Sequence, residues 1–233
     1  MTILKKYETG YKKYGRSYQR KYPNEELCRF IGRNFSNIKK IKKKKIKVLE
    51  VGCGPGGNLW MLAYEGFDTF GLDVSPISIK LAKKNLAEKK LKAKLSVSNM
   101  CNLNFRDNHF DMIIDVFSSC HLDHADGVLF IKQVSKKLKK GGVFFSYFPS
   151  KKSKLFISNF KKKFIDKNTI SKIYNKKQVY GNSVMPMRFM SKNEYKSLLI
   201  KNNLKVIYSE ELKKTYRNGH DHFNFLVIES LKQ

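Results

Sequence analysis

Short apolar runs alternate with segments of helical length through the middle of the chain. Five runs rich in β-branched and aromatic residues predict strands, at residues 48–51, 69–72, 93–97, 112–116 and 143–148. The intervening segments of helical length lie around residues 57–65, 76–90 and 125–139. Strands that are apolar along their whole length and separated by helices are typical of a parallel sheet with helices on both faces.

The flanking segments follow other patterns. Residues 1–45 are predicted to form an N-terminal helical cap, in which a second helix begins after Asn24. Residues 46–149 are the predicted core, residues 150–190 a lysine-rich insertion or lid, and residues 191–233 a C-terminal helix and strands that complete the sheet. The C-terminal strands are predicted near 204–209 and 223–229. Tyrosines in the cap recur in steps of three and four, as in an aromatic stripe along a helix, at positions 7, 11, 14, 18 and 22.

The composition adds a large positive charge. The chain has 233 residues, with 48 Lys or Arg against 19 Asp or Glu, and a formal net charge of +29. A hydrophobic share of 41% excludes a disordered basic tail and predicts a folded domain. Because arginine is scarce and the lysines spread along the whole chain, the charge has two interpretations. It is a footprint for a polyanion such as nucleic acid, or a compositional bias on solvated faces.

No segment of the sequence predicts membrane insertion or secretion. The longest apolar stretches, such as 143–145, are far shorter than the roughly 20 residues that span a bilayer. The N-terminus lacks the apolar core of a signal peptide. The cysteines are widely spaced and form no C-x-x-C pair, which favours reduced thiols and a cytoplasmic protein; they are Cys28, Cys53, Cys101 and Cys120.

The most informative segment runs from the first strand into a glycine-rich turn. Glycines 52, 54 and 56 allow a sharp turn and leave backbone N–H groups open to a ligand. The next strand ends at Asp73, 19 residues after Gly54, where a carboxylate can accept hydrogen bonds from both ribose hydroxyls of an adenosine. The glycine spacing matches neither G-x-G-x-x-G nor the triphosphate loop. The pattern therefore favours an adenosine cofactor without phosphates.

Five ordered landmarks resemble the class I S-adenosylmethionine-dependent methyltransferases, at residues 50–56, 71–75, 99–100, 108–115 and 138–143. The resemblance implies a Rossmann-like, doubly wound α/β fold with seven mostly parallel strands and an antiparallel last strand. It implies S-adenosylmethionine as cofactor, S-adenosylhomocysteine as product and no metal. The cofactor-binding residues that it implies are Glu50, Gly52, Cys53, Gly54, Asn58, Asp73, Val74, Asn99, Met100 and Asp115.

Some of these side chains have alternative roles. Glu50 either contacts the cofactor or orients the glycine turn, and Asp115 either contacts the cofactor or ends its strand. A sulfonium is already electrophilic, so methyl transfer needs in-line approach and, for hydroxyl or ammonium acceptors, removal of a proton. His121 is the candidate base, although a structural role is the stronger interpretation. The candidate substrate contacts are Tyr14, Tyr18 and His121.

Three functions stay open at this point. The first is O- or N-methylation of a small-molecule or sugar acceptor, because the whole-chain pattern resembles a branch linked to surface-glycan and small-molecule modification. Lysines of 151–177 would suit an anionic acceptor. The second is an RNA methyltransferase with lysines 39–47 and 151–177 as its phosphate-binding surface, less favoured because arginine is scarce and the N-P-P-Y string of base methylation is absent. The third is a cofactor-binding protein without catalysis.

Overall fold

The computed structural model describes residues 3–159, 164–171, 178–180 and 186–233 of the chain. Within them the strands are β1 (Lys47–Val51), β2 (Asp68–Asp73), β3 (Lys94–Val97), β4 (Phe110–Val116), β5 (Leu138–Pro149), β6 (Phe164–Asp166), β7 (Thr169–Ile170), β8 (Met187–Arg188), β9 (Leu204–Tyr216) and β10 (Asp221–Lys232). The helices are α1 (Ile3–Tyr14), α2 (Glu25–Phe35), α3 (Lys40–Lys43), α4 (Leu59–Tyr64), α5 (Pro76–Glu88), α6 (His124–Lys137), α7 (Lys154–Asn159) and α8 (Lys192–Ile200). Short 3₁₀ turns cover Gly15–Tyr18 and Ser119–His121.

Seven strands form the main sheet, in the order β3-β2-β1-β4-β5-β10-β9. The neighbours from β3 to β5 pair in parallel, and β10 runs antiparallel to both β5 and β9. The predicted seven-stranded, mostly parallel sheet with an antiparallel last strand is therefore confirmed. The strand order reverses between β1 and β4, and ligands of open α/β sheets bind beyond the carboxyl ends of the strands at such a point.

The sheet is covered by helices on both faces, as predicted. Successive residues of a strand point to opposite faces, so Phe145 and Phe144 of β5 enter different layers. Phe145 stacks on Phe30 of α2 with ring centroids 4.9 Å apart. Phe144 meets Phe130 of α6 with centroids 6.1 Å apart, and Tyr195 of α8 belongs to the same buried cluster. These two apolar layers hold the sheet between α2 on one face and α6 and α8 on the other.

Local capping signals place two of these helices where the sequence predicts them. The Asn24 side chain caps α2 by accepting a hydrogen bond from the Leu27 N–H at 3.0 Å. Ser191 and Glu194 form a reciprocal capping box at the start of α8. Such caps satisfy N–H groups that have no partner within the helix, so each marks a helix start in the sequence.

The region after β5 contains elements that the sequence pattern did not predict. Among its described residues, α7 is followed by a three-stranded sheet in the order β6-β7-β8. A bridge between Ser150 and Met190 returns the chain to the main fold. Lysines 161–163, 172, 176 and 177 of the predicted lid lie outside the described residues, so the lid stays a prediction. No helix in the described part of the chain is long and apolar enough to cross a bilayer.

The C-terminal hairpin is longer than predicted. β9 and β10 have 13 and 12 residues, against the shorter predictions at 204–209 and 223–229. β9 is an edge strand with one partner, so much of it is half-exposed or exposed. Because many residues of β9 are polar, the hydrophobic pattern did not reveal its full length. The strand nevertheless pairs with β10 along nearly the whole length of β10.

Candidate functional site

The glycine-rich turn lies at the carboxyl end of β1, directly before α4. Gly52, Gly54 and Gly56 have φ angles of +59°, +54° and +83°, in the left-handed region that favours glycine. A Cβ on Gly52 would lie 1.6 Å from Oγ of Ser118, in the turn after β4. The two turns therefore pack directly against each other at the carboxyl edge of the sheet.

Asp73 holds the other side of the glycine turn, at the end of β2. Its Oδ2 accepts a hydrogen bond from the Gly54 N–H at 3.0 Å, and its Oδ1 accepts one from the Ser75 N–H at 2.9 Å. Burial raises the pKa of Asp73, and these N–H donors oppose that rise. Cys53 is buried beside it, whereas the Val74 side chain is 43% exposed.

Glu50 is buried beneath the glycine turn, near the end of β1. It is 3% exposed; its Oε1 accepts a hydrogen bond from Asn58 Nδ2 at 2.6 Å, and its Oε2 is buried without a partner. Burial raises the pKa of Glu50 to about 8. The Asn58 Oδ1 in turn accepts from the Asn24 N–H at 2.8 Å. The Asn58 amide therefore links Glu50 to the N-terminal cap.

The segment before α2 brings a cation to the same place. The Arg20 carbonyl oxygen would lie 2.7 Å from a Cβ on Gly57, and the Trp60 Nε1–H donates to the Lys21 carbonyl at 3.3 Å. The positive charge of Arg20 lowers the pKa of Glu50 against the larger effect of burial. An exposed arginine without an ion-pair partner in the described chain therefore lies close to a buried carboxyl group with a free oxygen.

Asp115 organises the turn that follows β4. It is fully buried, and its Oδ1 accepts hydrogen bonds from the N–H groups of Ser118 and Ser119 at 3.2 and 3.0 Å. The Ser119 hydroxyl donates to its other oxygen. Burial raises the pKa of Asp115, and the bonds from Ser119 oppose the rise. Asp115 therefore caps the turn with both of its oxygens.

Asn99 and Met100 follow β3 at the same edge of the sheet. The Asn99 Oδ1 accepts a hydrogen bond from the Cys101 N–H at 2.9 Å, and the Asn99 side chain is exposed. The Met100 Cε lies 3.4 Å from the position of a Cβ on Gly52. An apolar side chain and an exposed amide therefore border the glycine turn from the β3 side.

The first helix places a cluster of tyrosines over the glycine turn. Tyr11 is 4% exposed, and its hydroxyl lies 3.7 Å from the position of a Cβ on Gly54. The Tyr18 ring fills the space that a Cβ on Gly10 would need and meets Tyr11 edge-on, with centroids 5.5 Å apart. Tyr14 stacks on Tyr18 from outside and is 54% exposed. The cluster therefore faces the turn through Tyr11, a member of the predicted tyrosine stripe.

His121 joins three parts of the site. Its Nδ1 lies 3.0 Å from the Pro186 carbonyl oxygen, and its Nε2 lies 3.1 Å from the Tyr7 hydroxyl. A carbonyl oxygen only accepts, so Nδ1 carries the proton and Nε2 of the neutral ring accepts from Tyr7. Burial lowers the pKa of His121, which keeps the ring neutral. Both ring nitrogens are therefore occupied by contacts to α1 and to the segment before β8.

The residues that sequence reasoning missed act over long sequence separations. Tyr7 contacts His121, Asn24 contacts Asn58 and Arg188 contacts Ser119, each in a distant element. Arg20 lies near Glu50. The tyrosine period in α1 and the helix start after Asn24 were local signals, but neither indicates the distant partner. In the part of the chain that the structure describes, no three His, Cys, Asp or Glu side chains are grouped so as to hold a metal ion.

Part of the chain is similar to known methyltransferases. Residues 48–142 match the methyltransferase-domain family. The fold is similar to that of an S-adenosylmethionine-dependent methyltransferase from Methanosarcina mazei, at a TM-score of 0.68 and 22% identity over 79% of this chain and 92% of that one. The chain carries a methyltransferase domain over residues 48–142. A protein of Pyrococcus horikoshii is similar over 90% of this chain and 92% of its own, with a TM-score of 0.63 and 22% identity.

Curated relatives of this chain are similar over part of their length. It is 32% identical over 127 residues to the ubiquinone biosynthesis O-methyltransferase of Pelagibacter ubique, which covers 52% of each chain. It is 34% identical over 122 residues to the chloroplastic tocopherol O-methyltransferase of Arabidopsis thaliana, over 51% of this chain and 33% of that one. The chain thus spans about half the length of the first relative and a third of the second.

Proposed function

We propose that this methyltransferase transfers the methyl group of S-adenosylmethionine to a small-molecule acceptor. The observation that carries the proposal is the hydrogen bond from the Gly54 N–H to Asp73, in a left-handed glycine turn that Tyr11 covers. A carboxylate at the end of β2 accepts hydrogen bonds from ribose hydroxyls, and glycines without Cβ atoms let a ligand approach the backbone.

The charges around the turn fit the cofactor. Glu50, Asp73 and Asp115 are acids at the carboxyl ends of neighbouring strands, and Oε2 of Glu50 is a buried acceptor without a donor. S-adenosylmethionine carries an ammonium group and a sulfonium, both of which are stabilised by carboxylates. The guanidinium of Arg20 is available for its carboxylate. The site would therefore complement the two opposite charges of the amino-acid end.

The chain's own residues bind and orient rather than react. The cofactor, when bound, supplies the activated methyl group. Glu50 and Arg20 would hold its amino-acid end, Asp73 its ribose, and Met100 its adenine ring. We assign His121 to holding α1 through Tyr7, because neither ring nitrogen is free to take a proton from an acceptor. Catalysis then comes from in-line positioning of the acceptor.

The acceptor class is proposed from the relatives and from an aromatic wall. The names of the relatives refer to ubiquinone and tocopherol. In this chain Phe117 directly follows β4 with a left-handed φ of +57°, and its ring centroid lies 5.1 Å from that of Tyr180. Tyr180 packs 4.8 Å from Phe223 of β10. Non-glycine residues in this conformation cluster at functional sites, so this wall supports an acceptor with an aromatic or apolar part.

The described lysines of the insertion give an anionic acceptor less support. Lys151 pairs with Glu194 at 2.6 Å and Lys152 with Glu211 at 2.7 Å. The Lys154 ammonium donates to the His220 carbonyl at 2.9 Å. These three cations already have partners, so a sugar phosphate would depend on the exposed Lys167 or on lysines beyond the described residues.

The test is a methyl-transfer assay with isotopically labelled S-adenosylmethionine. Phenolic and quinol acceptors, nucleotide-linked sugars and bulk RNA are offered in parallel, with the Asp73→Asn variant as the negative control. We expect transfer to at least one small acceptor and its loss in the variant. Transfer to RNA alone would overturn the proposal in favour of RNA methylation. Cofactor binding without transfer to any of them would favour the non-catalytic alternative.

A further inference from the structure

Arg188 of β8 is a fully buried arginine in a chain whose basic residues are mostly exposed lysines. Its guanidinium lies against α6, where a Cβ on Gly127 would come within 1.3 Å of Nη1. The other neighbour is the ring of Phe148, whose centroid is 5.2 Å from Cζ. Gly127 therefore provides the space that the guanidinium occupies.

The guanidinium reaches the turn that follows β4. Nη2 donates to the Ser119 carbonyl and Nη1 to the Asp123 carbonyl, both at 3.4 Å, and Nε is buried without a partner. Asp115 accepts hydrogen bonds from the N–H groups of Ser118 and Ser119 in the same turn. The 118–123 turn is thus held at its N–H groups by a buried acid and at its carbonyls by a buried base.

Stability alone does not require a charge at this place. Burial lowers the pKa of Arg188, and the nearby start of α6 carries the positive end of a helix dipole, which is unfavourable for a cation. Apolar side chains of similar volume often replace buried charges without loss of stability. What an apolar side chain cannot do is donate to two carbonyls of one turn.

The position of this turn matters for the cofactor site. Ser118 occupies the space beside Gly52, and His121 holds Tyr7 of α1. A displacement of the turn would therefore move one wall of the glycine turn and the attachment of α1, the helix that covers Gly54.

We propose that Arg188 is a positioning residue for the cofactor site: it fixes the 118–123 turn, and through it the glycine turn and α1, without touching the cofactor. The assignment rests on the proposed function. The charged and titratable groups that face Asp115 are Arg188, Glu50, Cys120 and Tyr195. Of these, Arg188 lowers the pKa of Asp115, so its removal would let Asp115 take up a proton at a higher pH and weaken its hold on the turn.

The test measures S-adenosylhomocysteine binding by titration calorimetry at several pH values. Arg188→Met removes the charge, and Arg188→Lys keeps the charge but loses the planar guanidinium that donates to two carbonyl groups. Lys132→Met, on the exposed face of α6, is the control. We expect Arg188→Met to weaken binding by about tenfold at alkaline pH, relative to wild type at the same pH, and the deficit to grow as the pH falls. Arg188→Lys should weaken binding by a factor that does not change with pH.

A merely structural role would give a different pattern. An Arg188→Met variant that binds as wild type, or whose deficit is the same at every pH, would overturn the assignment. If that variant does not fold, Gly127→Ala tests the same contact with all charges kept, since the added Cβ displaces the guanidinium, and unaltered binding by it would overturn the assignment equally.

Hydrogen exchange of the ligand-free protein separates this inference from the proposed function. Arg188→Lys and Gly127→Ala should lose protection in the peptide around 117–123 while the peptide around β1 keeps its protection. Unchanged protection of the turn contradicts the role of Arg188. A wild-type protein that binds no S-adenosylhomocysteine, with the turn deprotected in the variants, contradicts the proposed function instead.

Discussion

Glu50 is the residue at which stability and cofactor binding are expected to conflict. Its pKa is raised by burial from 4.5 to about 8, so the fold prefers the neutral acid. A carboxyl group whose pKa is higher in the folded than in the unfolded state loses stability as the pH rises between the two values. Each pKa unit corresponds to about 1.4 kcal/mol. The free energy of unfolding should therefore fall by about 3 kcal/mol between about pH 5 and about pH 8 through this group alone.

Glu50→Gln removes that dependence. Glutamine keeps an oxygen for the Asn58 Nδ2, and its amide takes the place of an Oε2 that already has no partner. We expect the variant to be more stable than wild type by about 3 kcal/mol at about pH 8, or roughly 6–12 °C in melting temperature, and nearly equal to it at about pH 5. The assay is chemical and thermal unfolding across this range, with exposed Glu88→Gln as the control.

The same substitution should weaken the binding of the cofactor. A cationic ligand requires ionised Glu50, so wild-type binding at about pH 7 should release a proton, seen as a dependence of the calorimetric enthalpy on the ionisation enthalpy of the buffer. Glu50→Gln should bind at least about tenfold more weakly and release no proton from this site. A stability difference between variant and wild type that is constant with pH, or binding without proton release, would refute the reasoning.

Three further predictions concern single contacts. Gly52→Ala should destabilise the protein by about 3 kcal/mol, because the added Cβ clashes with Ser118 and the backbone has a left-handed φ. Gly15→Ala is the control and should cost about 1 kcal/mol, because Gly15 has a φ of +56° but no atom within 4 Å of the added Cβ. Equal losses of stability in urea unfolding would contradict this prediction. Tyr7→Phe should weaken the packing of α1 on the rest of the protein by about 1 kcal/mol, because the hydrogen bond to His121 is lost. Hydrogen exchange in α1 should then be faster, whereas exchange in the exposed Tyr14→Phe control should be unaltered. Identical exchange in both variants would refute the His121 contact. Arg20→Gln should weaken the binding of S-adenosylhomocysteine about tenfold. It should leave the affinity for the decarboxylated analogue S-adenosyl-3-thiopropylamine unaltered, because that ligand has no carboxylate. An equal loss of affinity for both ligands would exclude Arg20 as the carboxylate partner.

The sheet and the glycine turn could be predicted because their signals are local. The apolar runs that became β1 to β5 are consecutive residues, and Gly52 to Gly56 need left-handed angles that only glycine adopts freely. Asp73 followed from its distance along the chain to the turn. These features depend on neighbours in sequence, so one sequence is enough to find them.

The contacts that organise the site could not be predicted in the same way. Tyr7 meets His121 across 114 residues, and Arg188 meets Ser119 across 69. Such pairs depend on how loops are placed by the whole fold. The β6-β8 sheet was missed because strands of two or three residues are too short to show a period.

The positive charge was the least informative feature of the sequence. Lys43 lies in the lysine run 39–47, which the RNA hypothesis uses as part of a phosphate-binding surface, yet it is 5% exposed and pairs with Glu65 at 2.6 Å. Lys137 is also buried and reaches Asp107 at 2.9 Å. Lysines of this kind serve local packing and ion pairs, so the net charge does not by itself identify a partner.

Calorimetric titration of S-adenosylhomocysteine into wild-type protein and Asp73→Asn tests the central claim most directly. Asp73 faces the turn with a carboxylate whose hydrogen bonds to ribose would be charge-assisted, worth about 1.5–3 kcal/mol each. We predict saturable one-site binding to the wild type, weakened about tenfold or more in Asp73→Asn, with the fold of the variant intact by circular dichroism. Wild-type protein that shows no saturable binding, or a variant that binds as tightly as wild type, would contradict the account.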